Sequence, residues 1–111
     1  MYHEAALEIS QEIGDRRGEG ADLGNLGNAY RALGQVERAI EYYEAALEIA
    51  QEIGDRRGEG NRLGNLGNAY RALGQVERAK EYLQQALAIF EEIKSPNADL
   101  VRRWLDGLEN S

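Results

Sequence analysis

The sequence predicts an all-α protein, an α-solenoid of antiparallel helix pairs closed by a C-terminal capping helix. Three observations lead there. The chain repeats with a period of 40 residues: 32 of 40 positions agree between 11–50 and 51–90, and "QEIGDRRGEG" at 11–20 returns unchanged at 51–60. Its apolar residues recur with helical period, and no segment alternates with β period. The links between helical segments are only a few residues, so successive helices must run antiparallel.

Taken in order, the chain opens halfway through a unit. "MYHEAALEIS" at 1–10 matches "EYYEAALEIA" at 41–50, so 1–14 reads as a half repeat. Two whole repeats follow at 15–54 and 55–94, then a tail at 95–111. All of this is expected to form one domain. Recent duplication, consensus design and excision from a longer array would each leave such close copies.

The second helix of each unit, helix B, begins at Val36 in the first copy. Apolar residues fall at Val36, Ala39, Ile40, Tyr43, Ala46, Leu47, Ala50 and Ile53. Tyr42, Ala45 and Ile49 widen the arc, and Glu37, Glu41, Glu44, Glu48 and Glu52 form one acidic stripe. A helix with so wide an apolar arc is covered on more than one side, and its acidic stripe faces water. Gly54 supplies a left-handed stop, and Asp55 an N-cap for the next helix.

The first helix of each unit, helix A, spans Arg16 to Leu33 and Arg56 to Leu73. "LGNLGNAYRALGQ" occurs in both copies, at 23–35 and 63–75. Gly24, Gly27, Gly64 and Gly67 each cost roughly 1 kcal/mol in a helix interior. Close packing is expected to offset that cost: Gly27 lacks a Cβ, so helix B can approach. Leu23, Leu26, Gly27, Tyr30 and Leu33 form the core stripe. Arg16-Arg17 and Arg56-Arg57 read as solvated turn residues. In the tail, Ser95 is an N-cap with Pro96 at the first helical position. Leu100, Val101, Trp104, Leu105 and Leu108 then make one apolar face, and Arg102, Arg103, Asp106 and Glu109 the opposite one. That is the pattern of a terminal cap, with Trp104 in the core.

The spacing Leu23-x2-Leu26-Gly27-x2-Tyr30, followed by Ala39-x3-Tyr43, resembles the tetratricopeptide repeat signature. Leu63, Leu66, Gly67, Tyr70, Ala79, Leu83 and Ala86 carry it in the second copy. Leucine replaces the usual tryptophan at Leu23 and Leu63, Gln51 stands near the usual closing proline, and the period exceeds the usual 34. This longer variety resembles the repeats of spindle-orientation adaptors and of prokaryotic signalling ATPases. The resemblance implies a scaffold role, with A helices lining a concave face and B helices a convex one.

On that arrangement Asn25, Asn28, Asn65 and Asn68 face the groove, with Asn61 one turn earlier and Arg31 and Arg71 at its far edge. Asparagine amides both donate and accept, which suits an extended peptide backbone of any sequence. Gly24 and Gly64 lower the groove wall. Most glutamates lie on helix B, so the groove is neutral to basic and the expected ligand is an acidic or polar peptide. With two complete A helices the affinity is expected in the range of about 10 μM to 1 mM. Asn28 and Asn68 have a second use open to them, hydrogen bonding to the adjacent A helix.

The half repeat raises a different expectation. Tyr2, Ala5, Ala6, Ile9 and Ile13, with Leu7, give it an apolar arc that no preceding A helix covers. Such a patch marks an interface. Two chains could meet there as a symmetric dimer or by exchanging helices. A structural array that self-assembles through this edge is therefore the alternative to a peptide-binding scaffold.

Composition excludes much else. The 111 residues carry a net charge of −7, which disfavours nucleic acid and anionic membrane. There is no cysteine, hence no thiol nucleophile or zinc–thiolate site. No metal-ligand spacing, catalytic constellation or cofactor motif is found. His3 aligns with Tyr43, a packing position. Glu91 and Glu92 are adjacent and point apart on a helix. "GEGADLGNLG" lacks the strand and lysine of a phosphate loop. No apolar run approaches the roughly 18 residues of a membrane span, and no signal sequence is read, so a cytoplasmic protein without cofactors is expected.

Overall fold

The computed structural model describes residues 15–109. The half repeat, and with it the interface expected at Tyr2, Ala5, Ala6, Ile9 and Ile13, lies outside the described residues. Five helices follow one another: α1 (Arg16–Ala32), α2 (Val36–Ile53), α3 (Arg56–Ala72), α4 (Val76–Glu92) and α5 (Asn97–Glu109). Among the described residues there is no strand. Each helix packs on the next, in a slab with principal extents of 46 × 31 × 18 Å. The all-α solenoid of helix pairs is therefore the architecture observed.

Local chemistry sets the helix ends. Asp15 and Asp55 accept from the backbone N–H groups of Gly18 and Gly58 at 3.0 and 3.1 Å, satisfying donors that the first turn leaves free. Gly34, Gly54 and Gly74 take positive φ of 81°, 70° and 77°, reversing the chain after each helix. The fourth such position is Lys94, with φ 56°. Ser95 Oγ accepts from Asn97 N–H at 3.1 Å and so caps α5.

The core runs through the middle of the slab. Ala39, Tyr43, Leu66, Ala69, Ala79, Leu83 and Ala86 are almost wholly buried there. Glycine permits this closeness. A Cβ on Gly27 would stand 2.6 Å from the Tyr43 ring, and one on Gly67 2.6 Å from Leu83. The stripe expected on helix A is buried only in the second copy. Leu66 is 0% exposed, whereas Leu26 is 43% and Leu33 70% exposed. In the second copy α2 packs against α3.

Two sets of contacts tie each pair together. At one end, Tyr30 stacks on Tyr42 and Tyr70 on Tyr82, with ring centroids 5.3 and 5.4 Å apart. Arg38 and Arg78 lie over Tyr30 and Tyr70. At the other end, Arg16 joins Glu19 and Glu52, and Arg56 joins Glu59 and Glu92, at 2.6–2.8 Å. Arg16 and Arg56 are thus ion-paired, not merely solvated. Arg102 similarly ties α5 to Glu91 of α4.

Candidate functional site

On the side that carries Asn61 and Asn65 lies a cleft of about 310 Å³ between α3 and α5. Asn61, Arg62, Gly64 and Asn65 of α3 form one wall. Asn97, Leu100, Val101 and Trp104 of α5 form the other, with Phe90 of α4 and Asn28 of α1 completing it. Periodicity explains the set: 61, 64 and 65 share one face of α3, and 97, 100, 101 and 104 one face of α5.

The cleft contains no acidic side chain and one cation. Arg62 is half-buried and lies flat over Gly24 of the preceding A helix, in space that any Cβ at position 24 would fill. Among the described residues it has no hydrogen-bond or ion-pair partner. Burial pushes its guanidinium below the ordinary value, opposed by Tyr43 and Asp55. A guanidinium nevertheless keeps its charge in a protein. Five unused N–H donors therefore sit in a partly desolvated, acid-free cleft.

The amides divide into groups. Asn28, Asn61 and Asn65 line the cleft, joined by Asn97, which the sequence did not single out. Asn28 Oδ1 accepts the Tyr43 hydroxyl at 2.6 Å, so its NH₂ group is left facing the cleft as a donor. That bond runs to helix B of its own unit, not to the adjacent A helix. Burial raises the Tyr43 pKa, against Arg31 and Arg62, so the hydroxyl stays protonated and can donate at neutral pH. Asn68 stands in the same place on α3, but its twin partner is Leu83. Its Oδ1 is buried without a hydrogen bond. Asn25, Arg31 and Arg71 are exposed and lie outside the cleft, as does Asn68.

Gly24 does not lower an open wall, because Arg62 fills the space above it. Gly64 does leave room, because a Cβ there would meet only Trp104, 4.0 Å away. Trp104 is half-buried and forms a cleft wall as well as packing on the core. Arg62 escaped sequence reasoning, yet a signal was present. The two copies of helix A differ only at Ala21/Asn61 and Asp22/Arg62, and both second-copy residues line the cleft.

The helix-pair solenoid, its small-residue contacts and its period meet one sequence profile, that of the tetratricopeptide repeat, which matches residues 1–52 and 21–92. The chain belongs to the tetratricopeptide repeat family. Repeats of this family generally mediate protein–protein interaction, and its members are generally scaffolds rather than enzymes. Two crystal structures share the tetratricopeptide fold. BtubC (BKLC) from P. vanneervenii is 23% identical, with a TM-score of 0.73 over 92% of this chain and 51% of that one. A putative kinesin light chain from Podosopora anserina, with nearly identical TPR-like repeats, is 24% identical, with a TM-score of 0.70 over 95% and 56%. The chain thus spans about half the length of either structure. No curated protein sequence matches it. Among the described residues no helix is long and apolar enough to cross a membrane.

Proposed function

We propose that this tetratricopeptide domain is a cytoplasmic, non-enzymatic scaffold that binds a short extended peptide carrying acidic or polar side chains along its A-helix face. The supporting observation is the acid-free cleft between α3 and α5, in a chain of net charge −7, with the unpartnered Arg62 on its wall. A carboxylate of the peptide pairs with Arg62, since a guanidinium fork matches carboxylate geometry. Asn28, Asn61 and Asn65 bond the peptide backbone. Leu100 and Trp104 take an apolar side chain beside the acid. Asn25, Asn68, Arg31 and Arg71 extend the same face beyond the cleft.

Trp104 is the single tryptophan, so its fluorescence reports on the cleft directly. Titrating acidic peptides from a library should shift that emission, with a Kd in the range of about 10 μM to 1 mM. Binding should weaken as salt rises. Arg62→Gln should weaken acidic-peptide binding about tenfold while leaving the melting temperature nearly unchanged. Equal binding of neutral and acidic peptides, or indifference to Arg62→Gln, would count against this reading.

The alternative is a structural array that self-associates at its N-terminal edge. The exposed Leu26 and Leu33 of α1 favour it. Light scattering over a concentration series separates the two, because a strict monomer cannot be such an array.

A further inference from the structure

Gly24 and Gly64 hold the same place in the two copies of helix A, yet their surroundings differ. The space over Gly64 is open up to Trp104, whereas the three atoms nearest a Cβ on Gly24 are Cζ, Nη1 and Nη2 of Arg62. The Arg62 guanidinium thus rests on the α1 backbone, in space that exists only because position 24 has no side chain. All three atoms belong to the far end of one long, flexible side chain, so a methyl group at position 24 can be relieved by moving that chain end alone.

That seat gives Arg62 contact and little else. Among the described residues no hydrogen bond or ion pair holds the guanidinium there. It is half-buried, and burial works against its charge. A cation stripped of part of its water and given no partner is weakly held. The side chain also lies on a boundary. It lines the cleft of about 310 Å³ between α3 and α5, and a cavity of only about 80 Å³ shared with Arg17 and Asp55. The larger space is on the cleft side, beside Asn61 and Asn65.

We propose that Gly24 is a positioning residue for the cleft: it stores the Arg62 guanidinium on the α1 backbone, and a carboxylate entering the cleft draws it out. The proposal rests on the reading of the cleft as a site for acidic peptides. Gly24 itself touches no ligand. It sets how strongly the cleft prefers acidic over neutral peptides, because the cation counts only when it is off its seat. Affinity for an acid is reduced by the fraction of molecules in which Arg62 is stored. A neutral peptide, held by the asparagine amides, is indifferent to where Arg62 lies.

Gly24→Ala in the full chain fills the seat, and alanine is the better helix former, so the variant should fold. Quenching of Trp104 fluorescence by iodide, relative to neutral acrylamide, reports the charge of the cleft with no peptide present. In Gly24→Ala that ratio should rise about twofold at low salt, and Arg62→Gln in the same chain should abolish the rise. Acidic peptides should bind Gly24→Ala about threefold more tightly than the parent, with neutral peptides unchanged. An unchanged iodide ratio would mean that the guanidinium turns elsewhere, towards Asp55 for example, and would overturn the proposal. So would a rise that persists without Arg62, or loss of the fold, which would mean that Arg62 cannot leave its seat. Acidic peptides that need Arg62 but bind Gly24→Ala no better would overturn the storage and leave the peptide reading intact. An iodide rise with no acidic peptide bound by any variant would do the reverse.

Discussion

Asn28 and Asn68 sit at one position of a duplicated helix, and a single residue opposite decides their state. Tyr43 donates to Asn28, while Leu83 leaves Asn68 Oδ1 buried and unsatisfied. Both facing side chains are fully buried over a glycine, Gly27 or Gly67. Leu83→Tyr should therefore be accommodated and should raise stability by about 1 kcal/mol in denaturant melts. Leu83→Phe supplies the ring without the hydroxyl and should lack that gain. Lys94 gives a second prediction at this scale. It is the one described non-glycine residue at a left-handed helix stop, where an L side chain costs roughly 1–2 kcal/mol. Lys94→Gly should raise the denaturation midpoint by a comparable amount, with an unchanged denaturant slope.

At the scale of the helix, each pair is latched at both ends, by stacked tyrosines at the A–B turn and by an arginine fork at the opposite end. The fork is responsive to pH. The hydrogen bond from Arg56 holds the Glu92 carboxyl below its ordinary value, with burial opposing. A carboxylate lowered in the folded state binds its proton more readily when unfolded. Its contribution is therefore present above the ordinary glutamate range, near 4.3, and is lost as pH falls through the lowered value. Glu92→Gln should show a smaller loss of melting temperature between pH 7 and pH 3 than the parent chain. Equal losses would mean that the latch adds nothing, as many exposed ion pairs do. The two pairs also differ inside. Ala50 borders a small cavity of about 80 Å³, whereas Phe90, its twin, fills the space over Gly60.

For the whole molecule, the fold was legible because repetition is written in the residues themselves. Asp15 and Asp55 cap, the glycines stop, and the 3.6-residue period runs between them. What local pattern could not decide was burial. Leu26 and Leu66 share identical neighbours in sequence, yet one is exposed and the other is sealed where α2 packs on α3, a contact that local spacing does not encode. The candidate site was legible in part for a similar reason. Asn28, Asn61 and Asn65 follow from helical period. Arg62 reaches its position only through a glycine some forty residues earlier, and Trp104 only through the docking of α5. Side chains that meet across such distances leave no spacing to read.

Each helix packs mainly on its immediate neighbours in the chain, and that has a consequence for how the molecule comes apart. Nothing at one end supports the other directly, so loss of structure can start at a terminus and advance pair by pair. Every association is also short in sequence, which favours rapid assembly. Slow exchange should be greatest for α2, α3 and α4, which have neighbours on both sides, and least for α1 and α5. A single uniform opening rate along the chain would mean that the slab gives way as one body. A graded one would make it a material that frays from its margins inward.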